Sequence, residues 1–356
     1  HLTIPFPIGL DLPEQILLER MRGDAYLGRF GFTLEKSSSL EFAEEAIADL
    51  ASRTPALTIA TEHPDVSIII PVYGQLQVLL NCLDSLCVQA SRFTAEIIVI
   101  DDASPAETGM EAVAAIPWIR YLKRDKNRGF VGSCNFAASE AQGKYLLFLN
   151  NDTRVSPNSL QILVDFLKAH PEVGMVGPRI LGADQLWQRS FRAQPTIRTM
   201  LNRLPLLRWT KLSQRAYEDY RRCSPVVETK AVEVLQGMAV CLPRSVFEQH
   251  QGWDESFFFG LEEIDLSVRV AATHRVVYLD DAEVGHHNRM SSRRNAGWVY
   301  TGMEVGHVRY LRKHLTGPAG AWLYKLLVLL NLPFTFANEL VRGVRRSQHR
   351  DQREPP

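Results

Sequence analysis

The chain has no excess of charge of either sign, because 40 lysine and arginine residues balance 40 aspartate and glutamate residues. A chain without net charge has no overall electrostatic field that would attract nucleic acid, so the composition indicates no nucleic-acid partner. Cysteine is scarce, with five residues and no Cys-x-x-Cys pair. Cys82 and Cys134 lie in patterns typical of buried helix faces, so we predict reduced thiols in the core and a cytoplasmic location.

Long hydrophobic runs are also missing. The most apolar stretch, residues 322–337, is interrupted by Lys325, Asn331 and Pro333. It is shorter than the ~20 residues that a membrane-spanning helix requires. The chain opens His-Leu-Thr-Ile-Pro and lacks an initiator methionine, and this opening has neither the charged start nor the apolar core of a signal peptide. We expect no transmembrane segment and no signal peptide, and leave open that the chain is a piece of a longer protein.

Two glycine-rich phosphate motifs are absent as well. Pro71-Val72-Tyr73-Gly74 stands where the glycine fingerprint of a dinucleotide-binding fold would follow the first strand, and no GxxxxGK[ST] loop occurs. These absences argue against hydride transfer and against P-loop chemistry.

What the chain does contain is the composition of a globular protein, with 46% hydrophobic and 22% charged residues. Its length suits one large α/β domain with appendages or two modest domains. We predict a helical extension over residues 1–64, with helices at 13–22 and 40–52. A main domain follows over 65–297, and a helical tail over 298–356.

The main domain begins with short apolar strands that alternate with helical patterns. Residues 66–73, 96–100, 118–123 and 145–149 read as buried strands, and further apolar strands are predicted at 173–180, 232–242 and 276–279. Helices are predicted between them, one of them over 133–142. Strands of this kind alternating with helices indicate an α/β fold with a mostly parallel sheet covered on both faces.

Polar residues follow four of these strands. They are Tyr73, Asp101-Asp102, Asn127-Arg128-Gly129 and Asn150-Asn151-Asp152. Because ligands of parallel α/β sheets bind at the carboxyl ends of the strands, these residues indicate a nucleotide site. Two other interpretations stay open, in which Asp101-Asp102 caps the next helix and Asn150-Asn151-Asp152 forms only a turn.

A second acidic cluster follows the aromatic segment Phe257-Phe258-Phe259. Glu262, Glu263 and Asp265 either form a solvated helix start or supply a base whose pKa is raised by the neighbouring aromatic rings.

His286, after a late strand, is either a core histidine or a ligand for a Mn²⁺-like cation. The polar and basic residues 182–229 suggest a substrate-facing loop or lid, and Gly237 suggests a close approach to the backbone.

Seven motifs in this order resemble family 2 glycosyltransferases, over about residues 66–292. The nucleotide-sugar half is carried by Pro71-Val72-Tyr73, Val99-Ile100-Asp101-Asp102-Ala103-Ser104, Asn127-Arg128-Gly129-Phe130 with Asn135, and Leu149-Asn150-Asn151-Asp152. The acceptor half is carried by Gly252-Trp253-Asp254-Glu255-Ser256-Phe257-Phe258, Glu262-Glu263-Ile264-Asp265-Leu266 and His286.

The resemblance implies a GT-A fold, a divalent cation (Mg²⁺ or Mn²⁺) and single-displacement transfer with inversion. It implies that Tyr73 and Asp102 contact the base and ribose, and that Asn151 lies near the ribose and diphosphate. Asp152 and His286 would meet the metal. The other nucleotide-site residues that it implies are Pro71, Val72, Asp101, Arg128, Gly129, Phe130 and Asn135.

On the acceptor side, the resemblance implies that Glu263 is the base, with Glu262 and Asp265 as alternates. Gly237, Trp253, Asp254 and Glu262 would line the acceptor and donor-sugar side.

The sequence thus predicts an inverting glycosyltransferase that uses a UDP- or dTDP-linked sugar and a saccharide or lipid-linked saccharide acceptor. A non-catalytic nucleotide-sugar-binding module and a sugar-phosphate nucleotidyltransferase are the alternatives. The helical tail has apolar and basic faces. The tail is predicted either to touch the cytoplasmic face of a bacterial membrane or to pack on the domain or a second subunit. Whether other catalytic domains flank this chain is left open.

Overall fold

The fold was described from a computed structural model covering residues 39–60, 62–221, 225–257, 260–286 and 296–351. For 39–42, 219, 221, 296–301 and 335–351 it describes the backbone alone. The helix predicted at 13–22 and the residues Phe258, Phe259 and Cys223 lie outside the described residues.

Strands and helices alternate along the main domain. The strands are β1 Thr58–Ile59, β2 Val66–Val72, β3 Thr94–Asp101, β4 Arg120–Lys123, β5 Tyr145–Leu149, β6 Thr153–Val155, β7 Val173–Leu181, β8 Trp187–Gln188, β9 Phe191–Arg192, β10 Lys230–Ala231, β11 Val234–Leu235, β12 Ala239–Pro243 and β13 Arg275–His286. The helices are α1 Ser39–Ser52, α2 Leu76–Cys87, α3 Gly129–Glu140, α4 Ser159–Ala169, α5 Ile197–Leu201, α6 Pro205–Trp209, α7 Gln214–Arg221, α8 Arg244–Gln249, α9 Glu262–Ala271, α10 Ala296–Tyr310 and α11 Gly317–Asp351.

One large sheet runs through the described residues in the order β1-β3-β2-β5-β12-β7-β13-β10. β2 pairs in parallel with β3 and β5, and β7 pairs in parallel with β13. β12 enters between β5 and β7 as an antiparallel strand. The predicted α/β fold with a mostly parallel sheet is confirmed.

The apolar strands are buried because both faces of the sheet are covered. In β2, Ile68 and Ile70 belong to one core and Ile69 to the other. Neighbouring side chains of a strand point to opposite faces, so a strand packed on both faces is apolar along most of its length, and its one polar residue, Ser67, is hydrogen-bonded to Glu96. All seven residues of β2 are buried.

A third core joins the C-terminal helices to the domain. Tyr310, Leu311 and Tyr324 pack with Phe257 and Ile264, close to the start of α9. The beginning of the tail therefore shares its packing with the acidic cluster.

Three predictions of local structure are wrong in detail. The strand predicted at 232–242 is two strands, β11 and β12, and the break falls at Gln236–Met238, where Gly237 passes beside Glu263. The polar stretch 182–229 is not a bare loop, because it holds β8, β9 and three short helices. The strand predicted at 276–279 continues through a bulge to His286.

Candidate functional site

The carboxyl ends of β2 and β3 place the first predicted residues side by side. Tyr73 follows β2 and is 54% exposed. Asp101 and Asp102 at the end of β3 are buried, and the backbone N–H of Asp102 donates to the Val72 carbonyl at 2.9 Å. The sheet thus brings both strand-end motifs to one edge.

The Asp101 carboxylate holds the turn after β3. It accepts hydrogen bonds from the Ser104 N–H at 2.8 Å and from the Tyr121 hydroxyl at 2.6 Å. Burial, with the hydrogen bond to Asp101, raises the pKa of Tyr121 above its usual range, so this phenol stays protonated as a donor.

The Asp102 carboxylate caps α3. It accepts hydrogen bonds from the Arg128 N–H at 2.8 Å, the Gly129 N–H at 2.7 Å and the Ser133 hydroxyl at 2.8 Å. Satisfying these N–H groups explains why α3 begins at Gly129 and not at Ser133 as predicted. The capping role left open for this residue is therefore present in the structure.

Asn135 links α3 to the segment that holds Trp253. Its amide donates to the Trp253 carbonyl at 2.8 Å and accepts from the Trp253 N–H at 3.0 Å. The Trp253 indole packs edge-on against Phe130 and Phe148 in the core. These contacts fix the backbone that carries Asp254, although the resemblance implied a nucleotide contact for Asn135.

The two predicted metal ligands meet. β6 follows Asn150-Asn151-Asp152 directly and pairs antiparallel with the end of β13, with Thr153 opposite His286. Asp152 Oδ1 lies 3.4 Å from His286 Nε2, and both side chains are less than a tenth exposed.

His286 is oriented by a residue that the sequence did not single out. Its Nδ1 lies 2.9 Å from Oε1 of Gln188 in β8. An amide oxygen accepts, so Nδ1 is the donor in this contact, and in a neutral ring the Nε2 lone pair would face Asp152. This is the tautomer that a metal-binding imidazole needs.

The residues at this edge fit a divalent cation that is bound largely through a substrate. Within the described ranges, no group of three or more His, Cys, Asp or Glu side chains could hold a metal by itself. Asp152 with His286 supplies one carboxylate and one imidazole. Mg²⁺ and Mn²⁺ in nucleotide sites commonly take the rest of their ligands from phosphate oxygens and water.

Glu263 is held by an arginine from β9. Arg192 Nη2 lies 2.6 Å from Glu263 Oε1, and both side chains are mostly buried. A Cβ added to Gly237 would stand 3.4 Å from Glu263 Cβ, which explains the close approach predicted there. Gln188 and Arg192 lie in two consecutive strands of the chain, β8 and β9. The short segment 188–192 therefore positions both His286 and Glu263.

Glu262 is the carboxyl group with the most unusual surroundings. Burial and the neighbouring Glu263 charge raise the pKa of Glu262 to about 8. Its Oε2 is buried and has no hydrogen-bond partner in the part of the chain that is described. A neutral Glu262 at neutral pH could donate a hydrogen bond to a sugar hydroxyl.

Asp265, by contrast, is committed to ion pairs. It is fully buried and contacts Arg269, Lys313 and His314 at 2.7 Å each. Burial raises the pKa of Asp265, but the hydrogen bonds from His314 and Lys313 and the charges of Arg269 and Lys313 prevail and lower it. A carboxylate so occupied is poorly placed to take a proton.

Lys313 also contacts Asp254, which was predicted to line the side where the acceptor saccharide binds, at 2.6 Å. Burial acts to raise the pKa of Asp254, yet the hydrogen bonds from Lys313 and Ser256 lower it to about 2. Lys313 and His314 lie in a π-helical turn between α10 and α11, so the C-terminal region supplies part of this cluster.

Four residues of the site were missed at the level of sequence: Gln188, Arg192, Lys313 and His314. Gln188 and Arg192 lie in the polar stretch 182–229, which was expected to face substrate, but nothing in its pattern distinguished them from the other arginines there. Lys313 and His314 lie in the tail, for which no site residue was predicted.

A carboxylate and an imidazole thus meet at one edge of a mostly parallel sheet, and residues 188–192 contact both this pair and Glu263. Residues 67–222 match the family model described as glycosyl transferase family 2. This match places a family 2 glycosyltransferase domain within residues 67–222, and the chain is a glycosyltransferase enzyme.

Three curated relatives are similar over more than half of this chain. An N-acetylglucosaminyl-diphospho-decaprenol L-rhamnosyltransferase of Mycobacterium tuberculosis is 27% identical over 56% of this chain and 68% of its own length. The succinoglycan biosynthesis protein ExoO of Rhizobium meliloti is 24% identical over 64% and 62%. The O-antigen biosynthesis protein RfbC of Myxococcus xanthus is 29% identical over 65% of this chain but 18% of its own.

Two solved structures align with the chain at low identity. A structure of GalNAc-T7 with UDP, GalNAc and Mn²⁺ aligns at 15% identity and a TM-score of 0.49, covering 65% of this chain and 45% of that one. The Staphylococcus aureus protein TarS with UDP-GlcNAc aligns at 16% identity and a TM-score of 0.48, covering 74% and 70%.

Proposed function

We propose that the chain moves a sugar, with inversion, from a UDP- or dTDP-linked donor to a hydroxyl group of a saccharide or lipid-linked saccharide. The observation that carries this proposal is the arrangement of Asp152 and His286 at the sheet edge, 3.4 Å apart. The segment that orients His286 also pairs with Glu263. A leaving-group site beside a carboxylate is what single displacement needs.

The donor would lie at the carboxyl edge of the sheet. The exposed Tyr73 ring offers a surface for the base, and Asn151, half-buried after β5, lies next to Asp152. Asp102 and the exposed Arg128 stand at the start of α3. A divalent cation held by Asp152 and His286 would stabilise the charge on the departing diphosphate.

The acceptor would approach from the side of α9. Glu263 would take the proton from the attacking hydroxyl, and the ion pair with Arg192 would hold its carboxylate in one direction. Glu262, with its raised pKa, would keep its proton and hydrogen-bond a sugar hydroxyl. Asp254 would line the same side.

The relatives narrow the acceptor class. One is named for transfer to N-acetylglucosaminyl-diphospho-decaprenol, and two are named for succinoglycan and O-antigen biosynthesis. We carry these names over as a proposed role in bacterial surface polysaccharide assembly, with a lipid-linked saccharide acceptor met at the cytoplasmic face of the inner membrane.

The experiment is a panel of UDP- and dTDP-sugars, titrated by calorimetry with and without Mn²⁺ and then incubated with a saccharide acceptor. We expect one donor to bind in a Mn²⁺-dependent manner and to release its nucleoside diphosphate only when an acceptor is present. Formation of UTP or dTTP together with a sugar 1-phosphate, when pyrophosphate is added to the bound donor, would point instead to nucleotidyl transfer. Binding without turnover for every acceptor would contradict the proposed reaction.

A further inference from the structure

Among the residues that the structure describes, none covers one face of helix α11, which carries large apolar side chains. Its exposed apolar residues, from 42% to 70% exposed, are Trp322, Leu323, Leu326, Leu329, Leu330 and Leu332. Their spacing places them on one side of a helix. Ala321, Tyr324 and Asn331 on the opposite side are buried against the domain, so the packing of α11 is already satisfied by its other face.

Helix α6 packs beside α11 and adds exposed apolar side chains of its own. Oδ1 of Asn331 accepts a hydrogen bond from the Leu206 N–H at 2.9 Å, and the Trp209 ring meets Phe334 edge-on at 5.4 Å. Leu206 and Trp209 are themselves exposed, as is Leu212 just beyond the helix. α6 is therefore fixed beside α11, and we call the exposed apolar side chains of α6 together with the exposed face of α11 the α6–α11 surface.

Basic residues predominate among the charges around this surface. Residues 197–217 contain no Asp or Glu, and residues 317–334 contain only one charged residue, Lys325. The cations of the first segment are Arg198, Arg203, Arg208, Lys211 and Arg215. Most of them are exposed, in a chain whose formal net charge is +0.

An open cavity of about 910 Å³ lies against the same surface. Arg208, Trp209 and Lys211 line one part of it, and among the described side chains of its wall Glu218 is the acidic one. Its size is that of a small-molecule site, large enough for a phosphate-bearing headgroup.

We propose that the α6–α11 surface rests in the headgroup region of an anionic lipid bilayer. Exposed apolar patches of this kind mark interaction sites. Leucine and tryptophan beside lysine and arginine are the composition of interfacial helices, because the apolar side chains enter the acyl boundary while the cations meet anionic headgroups.

Charge decides between a bilayer and a second copy of the chain. In a two-fold symmetric dimer this surface would face itself, and its cations would be brought together. Anionic headgroups would neutralise the same cations. None of the described helices is long and apolar enough to cross a bilayer, so the contact proposed here is one at the membrane surface.

The test is sedimentation of the full chain with vesicles, which requires neither sugar donor nor cation and so is independent of the proposed reaction. We expect binding to vesicles that contain phosphatidylglycerol, weak binding to vesicles of phosphatidylcholine alone, and loss of binding as salt is added. Leu326→Glu with Leu329→Glu should reduce binding about tenfold or more. Val227→Glu, at a residue 80% exposed elsewhere, is the matched control and should bind as wild type does.

A second variant tests the charges without touching the apolar face. Lys211→Gln with Arg215→Gln and Lys325→Gln should reduce binding to anionic vesicles several-fold for each cation removed, with an unchanged thermal unfolding curve. This variant keeps the test informative if the leucine variant does not fold.

Three outcomes would overturn the proposal. One is equal binding to neutral and anionic vesicles. Another is unchanged binding by both variants. The third is no vesicle binding together with a concentration-dependent dimer that Leu326→Glu with Leu329→Glu abolishes, which would make a second copy of the chain the occupant.

Discussion

The two sides of the site are stabilised in different ways. On the strand-edge side, Asp101 and Asp102 are held by backbone N–H groups and hydroxyls of the turns that follow β3 and precede α3. On the acidic side, Glu263 and Asp265 are held by cations from distant parts of the chain. Arg192 lies 71 residues before Glu263, and His314 lies 49 residues after Asp265.

This difference shows which parts of the site depend on tertiary packing. Backbone N–H donors, which hold Asp101 and Asp102, stay in place when side chains are substituted, because the main chain supplies them. A buried carboxylate that relies on a distant cation is left uncompensated when that cation moves. The acidic side should therefore be the more sensitive to substitution.

The largest effect is expected for Glu263→Gln. Removing a general base typically slows a reaction by about 10²–10⁴-fold, while calorimetric binding of the nucleotide should remain. Glu107→Gln, on an exposed 3₁₀ turn, is the control and should leave kcat unchanged. If Glu262→Gln removed transfer while Glu263→Gln did not, the base would be Glu262.

Next in size is the loss of stability in Asp265→Asn. Three cations surround this buried carboxylate, and breaking a buried ion pair typically costs about 3–5 kcal/mol. Because its pKa is lowered in the fold, the stabilisation is present above the ordinary carboxyl pKa. It is lost as the pH falls through the lowered value, so the wild type and the variant should converge in acid. Denaturant unfolding at several pH values measures this. Asp125→Asn, at an exposed residue, should be neutral.

Glu262→Gln should change how stability depends on pH. A carboxyl group whose pKa rises to about 8 in the fold binds more protons folded than unfolded above its ordinary pKa. The wild type should therefore lose stability as the pH rises from about 5 to about 8, by an amount on the order of a few kcal/mol. The variant should lack this slope in chemical unfolding. Equal slopes in the two proteins would show that Glu262 is ionised in the fold.

The smallest expected effect is that of Asp152→Ala, on the strand-edge side. Removing one of two protein ligands should weaken Mn²⁺-dependent nucleotide binding about tenfold, because phosphate oxygens and His286 remain. Binding without Mn²⁺ should not change. If nucleotide binding by the variant depended on Mn²⁺ as strongly as in the wild type, Asp152 would not be a ligand of the proposed cation.

Much of the strand-edge side could be predicted from local pattern. The apolar runs fixed β2, β3 and β5 to within two residues, and polar residues at strand ends of a parallel sheet must share an edge. The helix after Asn127 was placed four residues late, because Asp102, which caps it, lies far back in the sequence. One strand was predicted over 232–242, straight through Gly237. Hydrophobic periodicity does not show where contact with a neighbouring element, here Glu263, interrupts the pairing of a strand.

The acidic side could be recognised only in part. Glu262, Glu263 and Asp265 look alike in the sequence, yet they end in three states: Glu262 with a raised pKa, Glu263 paired with Arg192, and Asp265 enclosed by cations. Arg192 is one of many arginines in its stretch, and Lys313 lies in the tail, for which no site residue was predicted. Nothing local distinguishes them.

The sequence by itself determined the sheet, its covered faces and the edge where Asp102 and Asp152 gather, because strand periodicity and strand-end turns are local properties. Tertiary structure alone decided that Gln188 orients His286, that Arg192 pairs with Glu263, and that α6 joins the outer face of α11. Electrostatic surroundings and side-chain exposure depend on which distant segments come together, and that depends on packing throughout the fold.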